Sequence, residues 1–196
     1  METRRITQER NTKETRIRLI LDLDSPKEPQ IDTPVPFFNH ILNSMAFHGG
    51  FFLQINASGD IDVDPHHLVE DTGLVLGDAL REAVMSYGSI QRFGHSVIPM
   101  DDALSEVTVD ASGRPFLVFN ADFPQEYAGS FPLCLLKEFF TALSTRGGLT
   151  VHGSCRYGDN SHHMAEALFK ALGKALGQAF IRKQGNPAST KGSLHE

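Results

Sequence analysis

The sequence contains the pentad His-His-x-x-Glu twice, as His66–Glu70 and as His162–Glu166. Histidine and glutamate are common metal ligands, and residues four positions apart lie on one face of an α-helix. The first histidine and the glutamate of each pentad can therefore offer a nitrogen and an oxygen atom to the same ion. One pentad could arise by chance, but two copies about half a chain apart predict a duplicated module built around metal.

The segments before the two pentads also repeat. Each contains a glycine pair, then an apolar run, then a Gly-Asp dipeptide: Gly49-Gly50 and Gly59-Asp60 in the first copy, Gly147-Gly148 and Gly158-Asp159 in the second. When the glycine pairs are superposed, His40 aligns with Glu138, so each copy supplies one further candidate ligand. Because internal repeats decide how a chain is divided, we predict two halves, residues 1–98 and 99–196, that form a single catalytic unit.

One pentad cannot place its three polar side chains on one ion, because neighbouring residues on a helix point about 100° apart. We therefore predict that the second histidine of each pentad reaches the ion of the other half. The first ion would be held by His66, Glu70, His163 and Glu138. The second ion would be held by His162, Glu166, His67 and His40. Nitrogen and oxygen ligands without sulfur suit Mn²⁺, although iron, cobalt, nickel or zinc would also bind.

Hydrophobic spacing indicates the elements that must position these residues. Alternating apolar side chains predict strands at 15–24, 51–57, 105–110, 115–119 and 149–155. Helical spacing predicts helices at 37–47, 64–87, 132–145 and 161–182, and the three prolines of 25–34 predict a loop. Asp64-Pro65 and Asn160-Ser161 are typical helix starts, so each pentad would lie in a first helical turn. The pattern predicts an α+β fold with helices packed on one side of antiparallel or mixed sheets.

Composition restricts the classes of partner. The net charge of −6 argues against a broad basic face for nucleic acid. The two cysteines, Cys134 and Cys155, lack metal-site spacing and are expected to pack as small apolar side chains. The N-terminus has no apolar signal core, and no apolar run approaches the ~18–20 residues of a membrane span. We therefore expect a cytoplasmic protein that binds neither nucleic acid nor a membrane.

Several longer motifs closely resemble those of the imidazoleglycerol-phosphate dehydratase family of histidine biosynthesis, and the resemblance extends over about residues 4–194. The motifs are Thr12-Lys13-Glu14-Thr15, Asp64-Pro65-His66-His67, Arg92-Phe93-Gly94, Pro99-Met100-Asp101-Asp102-Ala103-Leu104, Ser112-Gly113-Arg114-Pro115, Asn160-Ser161-His162-His163 and Ser189-Thr190-Lys191-Gly192.

The resemblance implies a lyase that removes water from imidazole glycerol phosphate to give imidazole acetol phosphate. It implies duplicated βα halves of the ribosomal protein S5 domain 2-like type. It also implies two Mn²⁺ ions per active site, sites formed between subunits, and trimers that build a 24-subunit homo-oligomer. The departing proton lies on a carbon without an adjacent carbonyl, so metal bound to the imidazole ring would stabilise an imidazolate, and hydroxyl loss would pass through a diazafulvene-like intermediate. The ligand sets given above agree with those of the family.

The resemblance also implies roles for residues outside the metal sets. The catalytic residues would be Glu14, as general base or acid near the carbon chain, and His48 in the substrate pocket. The substrate and its phosphate would be bound by Arg92, Arg114, Lys170, Ser189, Thr190 and Lys191. The chain departs from the family at Asn39, where Asp is usual, and at Glu138, where many members have His. Neither departure removes a metal ligand.

Two other functional classes compete with this interpretation. A two-metal hydrolase would release phosphate from a phosphate ester, but it would need carboxylates that bridge the ions, and these histidine-rich sets offer no obvious bridge. A non-catalytic, metal-storing shell would bind the ions without turnover. The product formed from imidazole glycerol phosphate distinguishes the three classes.

Overall fold

The computed structural model describes residues 3–183 of the chain. The elements of its first half are β1 (Arg5–Asn11), β2 (Thr15–Asp22), β3 (Gln30–Asp32), α1 (Pro36–Gly49), β4 (Phe52–Gly59) and α2 (His66–Tyr87). The elements of its second half are β5 (Phe93–Met100), β6 (Ala103–Asp110), β7 (Phe116–Asn120), β8 (Tyr127–Ala128), β9 (Phe131–Pro132), α3 (Leu135–Gly147), β10 (Thr150–Tyr157) and α4 (Ser161–Ala179).

The two main sheets have the same topology. Their strand orders are β1-β2-β4-β3 and β5-β6-β10-β7. In each sheet the last pair is parallel, β3 with β4 and β7 with β10, and the other pairs are antiparallel. The predicted α+β class with mixed sheets is confirmed. β5 begins at Phe93, so the strands of the second sheet begin before residue 99.

The structure corrects several predicted element boundaries. The predicted loop 25–34 contains β3. The helix predicted from Pro132 begins at Leu135, because Pro132 belongs to the small β8–β9 hairpin. The last helix ends at Ala179 and not at Arg182, which forms a β-bridge with Ile90.

The sequence analysis missed β1 and β5, which are edge strands of the two sheets. Ile6 is the one fully buried side chain of β1, and Gly94 occupies a buried position of β5. A strand paired on one side and packed against little core needs few large apolar residues, so its sequence carries a weak alternation signal.

The four helices of residues 3–183 pack against the two sheets, and they pair across the two halves. α1 packs against α4, and α2 packs against α3. A Cβ atom added at Gly173 of α4 would overlap the backbone oxygen of Met45 in α1, and one at Gly77 of α2 would lie 2.9 Å from the backbone oxygen of Leu143 in α3. Met45 and Leu143 each lie four residues before a glycine of the repeated pair, so the two helix contacts are equivalent. Each pentad helix therefore packs against the first helix of the other half.

The N-terminal residues are fastened to the end of α4 by an ion-pair network. Arg4 donates from Nη2 to Asp24 Oδ1 at 2.6 Å and from Nη1 to the backbone oxygen of Phe180 at 2.5 Å. Arg182 donates to Asp24 Oδ2 at 2.9 Å. The hydrogen bonds from Arg4, assisted by Arg182, hold the pKa of Asp24 well below its usual range. Within residues 3–183, no helix is long and apolar enough to cross a membrane.

Gly173→Ala should destabilise the fold, because the new methyl group would force apart two helix backbones that touch. Overpacking of this kind costs about 2 kcal/mol, and a fall in melting temperature would measure it. Gly153→Ala is the matched control, because a Cβ atom there meets Phe140 at an ordinary 3.5 Å. Equal melting temperatures for the two variants would contradict the close helix contact.

Asp24→Asn should lower the stability at neutral pH, and the difference from the unchanged chain should shrink on acidification. The folded-state pKa of Asp24 is depressed, so its contribution is present above the unfolded pKa of about 3.9 and is lost as the pH falls towards the folded value. Thermal unfolding between about pH 7 and pH 3 measures the difference. A constant difference across that range would show that Asp24 contributes through packing and not through charge.

Candidate metal centre

Three of the predicted ligands meet at the contact between α1 and α4. His40 Nε2 lies 2.9 Å from Glu166 Oε2, and His162 Nε2 lies 3.3 Å from the same oxygen. Within residues 3–183, these three residues form the one group of at least three His, Cys, Asp or Glu side chains whose ligand atoms all lie within 4.8 Å of one another. Two imidazole nitrogens and a carboxylate oxygen are a donor set that suits a divalent cation.

Local structure explains how these side chains come together. His40 lies in α1, and the cross-packing of α1 on α4 brings it over the first turn of α4. Asn160 caps that turn, because its side-chain oxygen accepts from the backbone N–H groups of His162 and His163, which confirms the predicted cap. Phe37 packs its ring against the rings of both His40 and His162, with centroids 6.2 and 5.1 Å apart. The two imidazoles are therefore held by aromatic contacts as well as by Glu166.

Glu166 is a buried carboxylate surrounded by donors. Its side chain is 9% exposed, and its other oxygen, Oε1, accepts from Lys170 Nζ at 2.7 Å. Burial by itself would raise the pKa of Glu166, but hydrogen bonds from Lys170 and His40 outweigh it and lower that pKa to about 2. The carboxylate is therefore ionised at any physiological pH, which is the state that a metal ligand needs.

The equivalent group in the first half is more open. His66 Nε2 lies 3.6 Å from Glu70 Oε2, and their side chains are 40% and 43% exposed. The helix begins at His66, two residues after the predicted start, and the Asp64 side chain accepts from the backbone N–H of His66 at 2.7 Å. Glu138 lies half-buried in the first turn of α3. It forms no close triple with His66 and Glu70 in the described part of the chain, although α3 packs against the helix that carries them.

The second histidine of each pentad points to a carboxylate. His67 Nδ1 lies 3.0 Å from Asp60 Oδ2 and 3.9 Å from Glu14 Oε2. Its hydrogen bond with Asp60, together with the nearby charge of Glu14, raises the pKa of His67. His163 Nδ1 lies 2.6 Å from Asp102 Oδ1. Within residues 3–183 of one chain, neither His67 nor His163 joins the close triple of His40, His162 and Glu166.

The two remaining candidates near this centre are His48 and Lys170. His48 lies in the last turn of α1 and Lys170 lies one turn after Glu166 in α4. Partial burial and the positive charges of Lys170 and Lys174 lower the pKa of His48, although Glu166 opposes the effect. The Lys170 ammonium group thus binds the carboxylate of the triple, and the His48 ring is close enough to be influenced by the charges of both.

The two predicted phosphate-binding arginines share one carboxylate. Arg92 donates from Nε and Nη2 to the two oxygens of Asp110 at 2.6 and 3.0 Å, and Arg114 Nη2 lies 3.4 Å from Asp110 Oδ2. Asp110 ends β6, whereas Asp102, the partner of His163, immediately precedes this strand. At about 3.3 Å per residue the two ends of β6 are roughly 23 Å apart. The arginines and His163 therefore lie at opposite ends of one strand.

The predicted phosphate-binding segment of Ser189, Thr190 and Lys191 lies outside the described residues. Asn39, the departure from the family pattern, does have a described partner. Its side-chain oxygen accepts from the backbone N–H and the hydroxyl of Thr33, and its nitrogen donates to the backbone oxygen of Thr33 at 2.9 Å. An aspartate could not make the last bond, so Asn39 fits its loop and does not contact His40 through these hydrogen bonds.

Asp60 was not among the predicted site residues, although the repeat contained the signal that could have identified it. The repeated Gly-Asp dipeptide contains Asp60, but the sequence does not show that its side chain reaches back to His67, which lies seven residues later. Asp102 lies in one of the family motifs, but the sequence analysis gave it no role. The structure shows which group it binds.

The comparisons with known proteins agree with this geometry. The family model described as Imidazoleglycerol-phosphate dehydratase matches residues 33–176. A protein of that name from Geobacter sulfurreducens is 48% identical over 195 residues, which cover 98% of this chain and 100% of the relative. Another from Limosilactobacillus fermentum is 47% identical over 196 residues, covering 97% of this chain and 100% of the relative.

Solved structures give the same result. The chain resembles the crystal structure of imidazoleglycerol-phosphate dehydratase from Staphylococcus aureus with a TM-score of 0.83 and 38% identity, over 91% of this chain and 99% of that one. A structure from Pyrococcus furiosus matches with the same score and identity over 94% of this chain and 99% of that one. Because the family match, the near-complete coverage and the converging imidazoles agree, the chain belongs to the imidazoleglycerol-phosphate dehydratase family.

Proposed function

We infer that the chain is a hydro-lyase that converts imidazole glycerol phosphate to imidazole acetol phosphate in L-histidine biosynthesis. The proposed reaction follows from membership of the family. The convergence of His40, His162 and Glu166 is the structural observation that carries its dependence on metal. A phosphate-ester hydrolase is disfavoured, because Glu166 gives its second oxygen to Lys170 and so does not present it to a second ion.

We propose that Mn²⁺ binds at two positions per active site. One ion would be held by the close triple together with His67, and the other by His66, Glu70, Glu138 and His163. When bound, the ions supply positive charge that stabilises the imidazole ring of the substrate as it becomes electron-rich. The residues fit such ions, because every proposed ligand atom is an imidazole nitrogen or a carboxylate oxygen.

We propose that each active site is completed by a neighbouring subunit. His67 and His163 lie with carboxylates of their own chain and not with the metal group that each would complete. The arginines near Asp110 lie roughly 23 Å along β6 from His163, so they would serve the substrate of another subunit. The loop before the first pentad exposes Val63 at 73% and Ile61 at 40%. This apolar surface beside a metal group fits an interface in a homo-oligomer, for which we propose trimers assembled into a 24-mer.

The catalytic base in this proposal is Glu14. It lies in the hairpin between β1 and β2, its side chain is 55% exposed, and it lies 3.9 Å from the ring of His67. A carboxylate there can take the proton from the second substrate carbon, while the hydroxyl leaves from the carbon next to the imidazole ring, and can return a proton to that ring-adjacent carbon when the enol becomes the ketone. His48 and Lys170 would line the substrate pocket, and the arginines with Ser189, Thr190 and Lys191 would bind the phosphate.

The remaining parts of the proposal concern organisation and location. We propose that residues 1–98 and 99–196 act as one catalytic unit, because each pentad helix packs on the first helix of the other half. We also propose a cytoplasmic location, in keeping with a small phosphorylated substrate.

The Mn²⁺-loaded chain should convert imidazole glycerol phosphate to a product whose enol or ketone absorbance increases with time. Glu14→Gln should abolish this turnover while the metal content stays near that of the unchanged chain, because an amide cannot accept the proton but leaves the ligands in place. Release of inorganic phosphate would instead support the hydrolase. Loss of metal from the variant would show that Glu14 acts as a ligand and not as a base.

Glu166→Gln should lower the Mn²⁺ content of the chain after gel filtration, because a neutral amide oxygen is a weaker ligand for a hard cation than a carboxylate. Atomic emission measures the metal per chain. Glu28→Gln, an exposed position in the loop after β2, is the matched control and should retain the full content. If Glu166→Gln also retained it, the close triple would not be a metal site.

A further inference from the structure

The two pentads orient their second histidines in the same way but with different carboxylates. Asp60 accepts from His67 Nδ1 and Asp102 accepts from His163 Nδ1. An ionised carboxylate can only accept, so in the neutral imidazole each Nδ1 carries the hydrogen and each Nε2 offers its lone pair to a metal ion. Hydrogen bonds of this kind fix the tautomer and the ring orientation of a ligand histidine.

Strand register shows that these two carboxylates are not equivalent in the duplicated fold. The glycine pairs make Leu53 of β4 equivalent to Val151 of β10. Leu53 pairs with Leu21 in β2, and Val151 pairs with Val109 in β6. Leu21 and Val109 are therefore equivalent. Thr15 lies as far before Leu21 in β2 as Ala103 lies before Val109 in β6, so Thr15 corresponds to Ala103.

The residue before Thr15 is Glu14, and the residue before Ala103 is Asp102. The counterpart of Asp102 is therefore Glu14, the proposed base, and not Asp60.

Asp102 is the hairpin acid of the second half, because it lies in the turn between β5 and β6, and both of its carboxylate oxygens have hydrogen-bond partners. Besides His163, Asp102 accepts from the backbone N–H groups of Asp159 and Asn160 through Oδ2, at 2.6 and 2.9 Å. Asp159, in the repeated Gly-Asp dipeptide, thus contributes its main chain to Asp102. Asp102 could not turn to a substrate without releasing the loop that starts α4.

Glu14, the hairpin acid of the first half, does not form the equivalent hydrogen bond. Glu14 Oε2 lies 3.9 Å from His67 Nδ1, beyond hydrogen-bond distance, because Asp60 already occupies that nitrogen. The backbone N–H of Asp60 donates to the backbone oxygen of Glu14 at 3.1 Å, which fixes the hairpin beside it. Glu14 is thus held close to His67 without being bound by it.

We propose that Asp60 is a positioning residue that occupies His67 Nδ1 and thereby keeps the Glu14 carboxylate available to the substrate. Without Asp60, Glu14 is the nearest carboxylate to that nitrogen and replaces it, as Asp102 does in the other half. Of the two equivalent hairpin acids, Glu14 and Asp102, only Glu14 is then available to a substrate. This inference deepens the proposed function and rests on its assignment of Glu14 and His67.

A double-mutant cycle on metal binding tests the exchange directly. The full-length, metal-stripped chain is titrated with Mn²⁺, and the free ion is followed by its electron paramagnetic resonance signal. Glu14→Ala alone should leave the Mn²⁺ affinity unchanged, because Asp60 holds His67. In the Asp60→Ala background, Glu14→Ala should lower the affinity by a further factor of about 10 or more, the usual effect of losing the partner of a ligand histidine.

Three variants act as controls in this cycle. Asp60→Asn should restore most of the affinity lost in Asp60→Ala, since an amide oxygen can still accept from Nδ1. Asp62→Ala, in the same loop, should change nothing. Asp102→Ala should lower the affinity by about the same factor whether or not Glu14 is present, because it serves the other histidine. If Glu14→Ala had the same effect in both Asp60 backgrounds, the exchange would not occur and the inference would be wrong.

Turnover gives a second readout. At saturating Mn²⁺, Asp60→Ala should lower kcat by about tenfold or more with little change in KM, because Glu14 is drawn to His67. An unchanged kcat would overturn the inference. Failure of this inference can be distinguished from failure of the base assignment. If Glu14→Gln is active and the metal cycle is non-additive, Glu14 is not the base, but the role of Asp60 at His67 stands. If Glu14→Gln is inactive and the cycle is additive, Glu14 is the base, but Asp60 does not keep it from His67.

Discussion

The contact between helices of opposite halves is the constraint on which the candidate site depends. Gly173 allows the backbone of α4 to touch that of α1 at Met45, and Gly77 allows the equivalent contact of α2 with α3 at Leu143. Only this close approach lets His40 reach Glu166 across two helices. If each half had packed its own two helices together, His40 would lie with the first pentad. Each pentad helix therefore packs against a helix of the other half. For this reason the candidate metal group combines ligands from both halves.

Much of the candidate site could be predicted from the sequence, because ligand type and helical spacing are local properties. The pentads, Asp64 and Asn160 illustrate this, since each acts within one helical turn of its neighbours. The grouping of His40 with Glu166 was also predictable, because the repeat marked His40 as an extra ligand. The weakly patterned edge strands β1 and β5 were missed, as was β3 within a proline-rich segment.

Contacts that depend on long-range register could not be predicted in this way. The hydrogen bond between Asp60 and His67 depends on how the loop between β4 and α2 folds back. The binding of Asp110 by Arg92 and Arg114 depends on where β6 ends relative to both arginines. Asn39 shows the same limit. The resemblance identified Asn39 only as a departure from Asp, whereas the structure shows hydrogen bonds to Thr33, one of which a carboxylate could not donate.

Duplication gave the two metal groups one scaffold, but later sequence differences give them unequal electrostatics. Four residues after Glu166 is Lys170, which binds its carboxylate, whereas Leu74 lies four residues after Glu70. The superposed extra ligands also differ, because one is the imidazole of His40 and the other is the carboxylate of Glu138.

The first proposed set therefore contains two carboxylates, neither of which is in an ion pair with a lysine of residues 3–183, and the second contains one carboxylate whose charge Lys170 partly offsets. Since a hard dication gains most from anionic oxygen ligands, the open first set should hold its ion by charge. The second set, in which only the Glu166 carboxylate is buried, should hold its ion by the fixed geometry of its imidazoles. The same asymmetry separates Glu14 from Asp102, so the duplicated scaffold combines two similar candidate metal groups with one proposed base, Glu14.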